Sequence, residues 1–332
     1  MGKVVAVVGA TGAVGRAMLQ VLEQRGFPVD RLIPLASPRS AGGTVSFRGE
    51  EVRIESAYDY SYEGVDVALF SAGGAPSKDL APRVAAAGAV VIDNSSAWRM
   101  NPQVPLVVPE VNPEAVHERP LGIIANPNCS TIQLVVALMP LHREARVRRI
   151  VVSTYQAASG KGQAAVTDLK EQAARILRGE DPAPSVFPGA LAFNVLCDWK
   201  AGEDDYSEEE WKLVHETRKI LNDQTIGVSP TTVRVPVVNG HSEAVYVEFE
   251  RPLTPARAKE LLANAPGVVL QSDPYAPGNH PQPLLVEGRD EVFVGRVRAD
   301  LAVPGALNLF VVADNLRKGA ATNAVQIAEL LL

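Results

Sequence analysis

Seven residues near the start of the chain, Gly9-Ala10-Thr11-Gly12-Ala13-Val14-Gly15, constrain the fold more than any other stretch. They follow a continuous apolar run at 4–8, the pattern of a strand buried on both faces. They precede a helical pattern through Met18, Leu19 and Leu22 that ends near Gly26. Glycines between a strand and a helix permit a tight turn, close approach of backbone to a pyrophosphate, and close helix–strand packing. The helix start then offers N–H groups and a partial positive charge to phosphates. The spacing is a GxxGxxG variant, and its strand–turn–helix setting makes it a dinucleotide signature, with Gly9, Thr11, Gly12, Ala13 and Val14 as candidate cofactor contacts.

The pattern that follows extends this reading. Apolar runs at 32–35, 65–70 and 89–92 read as further strands, with a helix-forming stretch at 81–87. Alternating buried strands and helices predict a doubly wound, parallel Rossmann sheet. After residue 130 the strands become longer and two-sided, at 149–156, 231–238, 244–250, 291–299 and 306–313. These suit an α+β domain with a mixed, largely antiparallel sheet. A chain of 332 residues is long for a single core, so two α/β domains are expected, 1–128 for the dinucleotide and 129–314 for catalysis and dimerisation. A final helical stretch at 318–332 is expected to bring residues 315–332 back onto the first domain. The acidic run at 203–210 reads as a solvated turn and a helix start, with Ser207 and Glu210 as a capping box.

Charge and cysteine usage narrow the function classes. The net charge of -6 gives no general attraction to nucleic acid, and no basic-aromatic interleaving appears. Two distant cysteines, Cys129 and Cys197, form no disulfide framework, and no Cys/His spacing suggests zinc, so no metal is expected. Met1-Gly2-Lys3 runs into the first strand without a signal-peptide layout, and no apolar run is long enough for a bilayer. The expectation is a cytoplasmic protein with neither nucleic-acid nor membrane partners.

The end of the second strand speaks to the choice of dinucleotide. NAD enzymes place an acid there for the ribose hydroxyls, whereas this chain has Ala36-Ser37-Pro38-Arg39-Ser40. Arg39, Ser37 and Ser40 suit a 2′-phosphate, so NADP is expected.

The chemistry centres on Asn126-Pro127-Asn128-Cys129-Ser130-Thr131, which leads from a strand at 122–125 into a helical apolar stretch at 132–138. A helix start favours the thiolate and can steady an oxyanion, so Cys129 is the candidate nucleophile. Cys197 is expected to be ordinary packing. Acyl transfer needs a proton shuttle near neutral pH. His117, His142, His215, His241 and His280 are candidates, and spacing does not choose among them, although His241 stands on a Gly240 turn between two strands.

The 9–15 loop, the 126–131 segment, Arg234-Val235-Pro236-Val237-Val238-Asn239-Gly240-His241-Ser242-Glu243 and Asp314-Asn315-Leu316-Arg317-Lys318-Gly319-Ala320 together resemble the aspartate-semialdehyde dehydrogenase family, in matching order across nearly the whole chain. N-acetyl-glutamyl-phosphate reductases typically carry Gly where this chain has Asn128. The resemblance implies NADPH-dependent reduction of L-aspartyl 4-phosphate to L-aspartate 4-semialdehyde and phosphate through a Cys129 thioester. It places this step in lysine, threonine, methionine, isoleucine and diaminopimelate biosynthesis, carried out by a homodimer. It makes His241 the general acid/base and Gln156 the residue that orients substrate and thioester. It implies Arg234 for the α-carboxylate, Glu216 for the ammonium, and Arg99 and Lys219 for phosphate. Ser159 and Gly160 are implied at the nicotinamide end of the cofactor, with Asn315 also in the cofactor set.

Overall fold

The computed structural model describes residues 2–197, 199–271, 276 and 278–332. These form two compact units, one running to Asn128 and resuming at Ala320–Leu332, the other Cys129–Gly319.

The first unit contains, in order, β1 (Lys3–Val8), α1 (Ala13–Gln24), β2 (Val29–Ala36), β3 (Thr44–Phe47), β4 (Glu50–Arg53), β5 (Glu55–Ser56), β6 (Val67–Phe70), α2 (Gly74–Ala86), β7 (Val90–Asp93) and β8 (Ile123–Ala125). Six strands pair in the order β5-β2-β1-β6-β7-β8, every pairing parallel. The unbroken burial of β6 and β8 explains why their sequences are apolar at every position rather than at alternate ones. Helix α1 buries Met18, Leu19, Val21 and Leu22. It stops where Gly26 adopts φ +63° and Phe27 N–H returns to the Leu22 carbonyl at 3.0 Å, a Schellman-type end. The hairpin of β3 and β4 stands outside the main sheet.

The second unit contains α3 (Cys129–Ala145), β9 (Val147–Gln156), α4 (Gln163–Leu177), α5 (Glu208–Ile220), β10 (Gly227–Arg234), β11 (His241–Phe249), α6 (Pro255–Ala263), β12 (Val268–Gln271), α7 (Pro283–Val286), β13 (Val292–Ala299) and β14 (Leu307–Ala313). Its sheet runs β10-β9-β11-β14-β13-β12. The three central pairings are antiparallel and the two outer ones parallel, a mixed sheet. Helix α3 is buried along most of its length and packs on β9, β11, β13 and β14.

Two sequence expectations need correction. The strand anticipated at 231–238 ends at Arg234, because Pro236 has no N–H to give a ladder and Val237 N–H turns back to the Val235 carbonyl at 2.8 Å. The helix anticipated at 318–332 is not one continuous α-helix. A π-helical turn (Arg317–Ala321) precedes α8 (Thr322–Glu329). Ala324, Val325 and Ala328 of α8 share one core with Val5, Leu22 and Ile92, and Glu329 pairs with Arg25 at 2.7 Å.

Candidate active site

In the first unit, the loop after β1 is tied to the end of β2 by N–H bonds from Gly9 and Ala10 to the Leu35 carbonyl, at 2.8 and 3.0 Å. The three glycines have different reasons to be there. A Cβ on Gly9 would sit 2.4 Å from the Ser71 carbonyl oxygen, and one on Gly15 would sit 2.1 Å from the Gly9 carbonyl oxygen, so the fold itself demands both. A Cβ on Gly12 would meet nothing closer than 3.4 Å. Gly12 is the N-cap of α1, which has no side-chain cap and no acid in its first turn. Its bare backbone suits a phosphate group arriving from outside. Arg39 lies exposed in the turn after β2, where Ser40 N–H bonds the Ser37 carbonyl at 2.9 Å.

Arg99 is buried. Its Nε donates to the Asn126 carbonyl and its Nη2 to the Asn94 carbonyl, both at 2.9 Å. Asn126 in turn gives its amide to Asn94 Oδ1 at 2.7 Å and accepts from Asn323 at 2.7 Å. This lattice fixes the segment leading to Cys129.

In the second unit, α3 begins at Cys129 itself, which is half-buried. A Cβ on Gly319 would lie 2.8 Å from the Cys129 Cβ, so that glycine leaves the space beside the thiol. Cys197, expected to pack inside, is exposed. The preceding residue, Leu196, makes a bridge to Arg234 and packs against the small cluster beneath α4, and alternation turns its neighbour outward.

His241, the first residue of β11, is fully buried. Ala157 arranges its surroundings from both ends of one residue. Ala157 N–H donates to His241 Nδ1 at 3.1 Å, and Arg234 Nη1 donates to the Ala157 carbonyl at 2.8 Å. Nδ1 is therefore an acceptor, and the neutral ring carries its proton on Nε2. Nε2 has no hydrogen-bond partner among the described residues. Burial foremost, then the Arg234 charge, pulls the imidazole down to about 3, with Glu209 opposing. The ring is thus a neutral donor near pH 7. Gly160 lets it stand there, since a Cβ would come within 3.1 Å of Cε1 and Nε2 and 3.2 Å of Arg234 Nη1. The Arg234 guanidinium also lies over the Trp199 ring, 4.3 Å from its centroid.

Asn315 braces the same corner. Its amide donates to Ser159 Oγ at 2.9 Å, and its Oδ1 accepts the Gly240 N–H at 2.9 Å. Gln156, at the end of β9, donates to Thr154 Oγ1 and to Glu209 Oε1, both at 3.3 Å. Glu216 on α5 is buried and Lys219, one turn on, is half-buried, not the solvent-facing pair their spacing alone would suggest. Burial holds the Lys219 ammonium below its usual value, and Glu216 partly offsets this.

The capping box of Ser207 and Glu210 is present at the start of α5. Glu209, read as part of a solvated acidic run, is instead buried beside Gln156 and paired with Lys212 at 2.9 Å. Its signal is periodic. Glu209, Leu213, Glu216 and Ile220 fall on one helical face, and that face is buried. Among the described residues no group of three or more His, Cys, Asp or Glu is disposed to hold a metal ion, and no helix is long and apolar enough to cross a membrane.

Comparison with known proteins identifies the family. Residues 4–119 match the family model of the semialdehyde dehydrogenase NAD binding domain, and residues 138–318 that of the semialdehyde dehydrogenase dimerisation domain. The aspartate-semialdehyde dehydrogenase of Aquifex aeolicus is 54% identical, covering 100% of this chain and 98% of its own length. That of Legionella pneumophila is 51% identical, covering 98% and 95%. A crystal structure of aspartate semialdehyde dehydrogenase II from Vibrio cholerae, complexed with ASA, matches with a TM-score of 0.97 at 48% identity, covering 100% of this chain and 98% of that one. With both family domains matched in order and relatives of this identity aligned end to end, the chain belongs to the aspartate-semialdehyde dehydrogenase family.

Proposed function

We propose that this enzyme reduces L-aspartyl 4-phosphate to L-aspartate 4-semialdehyde, releasing phosphate, through a thioester on Cys129 and with NADPH as reductant. The observation that carries the mechanism is the neutral His241 ring, pinned at Nδ1 and offering an Nε2–H with no partner among the described residues.

The Cys129 thiolate, favoured at the start of α3, attacks the acyl carbon. The C–S bond forms, the carbon–oxygen bond to phosphate breaks, and the departing group takes up one proton to leave as hydrogen phosphate. The dinucleotide, when bound, supplies a hydride to the thioester carbon. The carbonyl electron pair then moves to oxygen, where the Nε2–H of His241 donates to the developing alkoxide, so a hydrogen bond to charge present only in that state lowers the barrier. Collapse breaks the C–S bond, frees the aldehyde and restores the thiolate. Splitting the reduction in two keeps each step within reach of one nucleophile.

Substrate recognition is assigned residue by residue. Arg234, lying over the Trp199 ring, takes the α-carboxylate through its planar fork. Glu216 takes the ammonium. Lys219 and Arg99 take phosphate, and a half-buried ammonium such as that of Lys219 gains most from an anion. Gln156, anchored to Glu209, orients the acyl group. Gly9, Thr11, Gly12, Ala13 and Val14 hold the pyrophosphate, and Ser37, Arg39 and Ser40 the 2′-phosphate that makes NADP the preferred dinucleotide. Ser159, Gly160 and Asn315 back the nicotinamide. Residues 1–128 with 320–332 form the NADP-binding domain and 129–319 the catalytic and dimerisation domain of a cytoplasmic homodimer, working in lysine, threonine, methionine, isoleucine and diaminopimelate biosynthesis.

The test is reduction of NADP by the purified protein with aspartate semialdehyde, with and without phosphate, against other aldehydes. Phosphate-dependent turnover with aspartate semialdehyde is expected. Turnover of another aldehyde with none of this one would refute the substrate assignment.

A further inference from the structure

Behind His241 lies a carboxyl group for which the mechanism above has no use. Glu243 is two residues along β11 and so on the same sheet face as His241. It stands between Thr154 of β9 and Val311 of β14 in register and is 0% exposed. Among the described residues neither of its oxygens has a hydrogen-bond partner. Helix α3 covers this face of the sheet, and Gln133, one turn after Cys129, is the polar residue it sets beside Glu243. Gln133 Nε2 donates to the His241 carbonyl at 3.4 Å, and its Oε1 is a buried acceptor with no donor among the described residues.

Three orphaned oxygens in one spot demand an account, since a buried polar atom without a partner loses its hydration and gains nothing in return. An ionised Glu243 makes matters worse, because it adds acceptors where only one amide N–H remains and brings a charge with no cation beside it among the described residues. Burial indeed pushes the carboxyl well above its usual range, against the Gln133 contact. A protonated carboxyl resolves all three at once. Its O–H would donate to Gln133 Oε1 and its carbonyl would accept one Gln133 N–H, while the second N–H stays on the His241 carbonyl.

We propose that Glu243 is a neutral carboxylic acid locked to Gln133 in a reciprocal acid–amide pair, a positioning device that fixes the helix bearing Cys129 against the strand bearing His241. The inference rests on the roles given above to Cys129 and His241. Gln133 is then the tie, one turn below the nucleophile and bonded to the backbone of the histidine, and Glu243 holds the tie in one orientation.

The test compares Glu243→Gln, which can keep a reciprocal amide–amide pair, with Glu243→Met, which fills the space without hydrogen bonds. E243M is expected to lower kcat by about tenfold to a hundredfold through misplacement of the reacting groups, with each KM within about twofold. E243Q is expected to restore kcat to within about twofold of the starting enzyme. The double variant Gln133→Met/Glu243→Met is expected to cost no more than E243M alone, as for two halves of one contact. Infrared spectra at neutral pH supply a readout that needs no turnover. The carbonyl stretch of a protonated carboxyl should be present in the starting enzyme and lost in E243Q. If E243M does not fold, E243Q and the infrared band still decide. An E243Q enzyme as slow as E243M, an E243M enzyme at full rate, or no protonated-carboxyl band lost in E243Q would overturn the proposal. Failure of the substrate assignment would leave the infrared result standing.

Discussion

Gly12, the N-cap of α1, and Gly15, in its first turn, lie three residues apart, and alanine is expected to damage them in opposite ways. At Gly15 the new methyl would sit 2.1 Å from the Gly9 carbonyl oxygen, more than an ångström inside ordinary contact. Helix α1 and its loop must part, at an overpacking cost of about 1–3 kcal/mol or more. For a unit of this size that is a fall in Tm of roughly 2–4 °C per kcal/mol. At Gly12 the methyl clears the protein at 3.4 Å, and the loss is that of a poorer N-cap residue, below about 1 kcal/mol. The same methyl stands where the bare helix start would meet phosphate. Losing one or two charge-assisted N–H contacts, each worth about 1.5–3 kcal/mol, weakens dinucleotide binding by roughly tenfold to a hundredfold or more. Thermal unfolding of both apo variants, with calorimetric titration of NADPH, separates the two effects. A Gly12→Ala protein that binds the dinucleotide as tightly as its parent, or that unfolds as early as Gly15→Ala, would refute the reasoning.

Other outcomes follow from the same geometry. Arg39→Asp is expected to weaken NADP at least tenfold while leaving NAD affinity little changed, both measured by titration, and unchanged NADP affinity would remove Arg39 from the site. Gly160→Ala brings a methyl within 3.1 Å of the His241 ring. It should lower kcat about tenfold with thermal stability nearly unchanged, and an unaffected kcat would show that the ring position is not critical. His241 titrates at 6.5 unfolded and about 3 folded, so the unfolded chain binds the extra proton between these values. Its contribution is full above pH 6.5 and declines as pH falls toward 3, by up to ~1.4 kcal/mol per pH unit. Denaturant unfolding of the parent and His241→Asn at pH 7 and pH 5 should show this gap narrowing at the lower pH, and an equal gap at both would contradict a neutral buried ring.

Much of this architecture was legible because it is periodic. Continuous apolar runs identified the parallel sheet, and the Asn128-Cys129-Ser130 segment before an apolar helical stretch placed Cys129 at the first residue of α3. What escaped was set by tertiary contact. The hairpin of β3 and β4 is short, with charged or polar residues on its open face, and carries little periodic signal. Glu209 reads as a solvated acid until the face it shares with Leu213 and Ile220 is seen to be the buried one. The loop glycines look alike in sequence, yet Gly9 and Gly15 answer to carbonyls of the protein and Gly12 does not. Pro236 ends the strand expected at 231–238, although Val235, Val237 and Val238 continue its apolar pattern. The tautomer of His241 is fixed by Ala157, 84 residues away, and no local pattern encodes that.

The central claim is tested most directly at the sulfur. The purified enzyme, mixed with NADP and aspartate semialdehyde in the absence of phosphate and quenched in acid, is digested for mass spectrometry. An aspartyl adduct on the peptide containing Cys129, released on adding phosphate and absent from Cys129→Ala, is the expected result. An adduct on any other residue, or a Cys129→Ala enzyme that still turns over, would contradict the account.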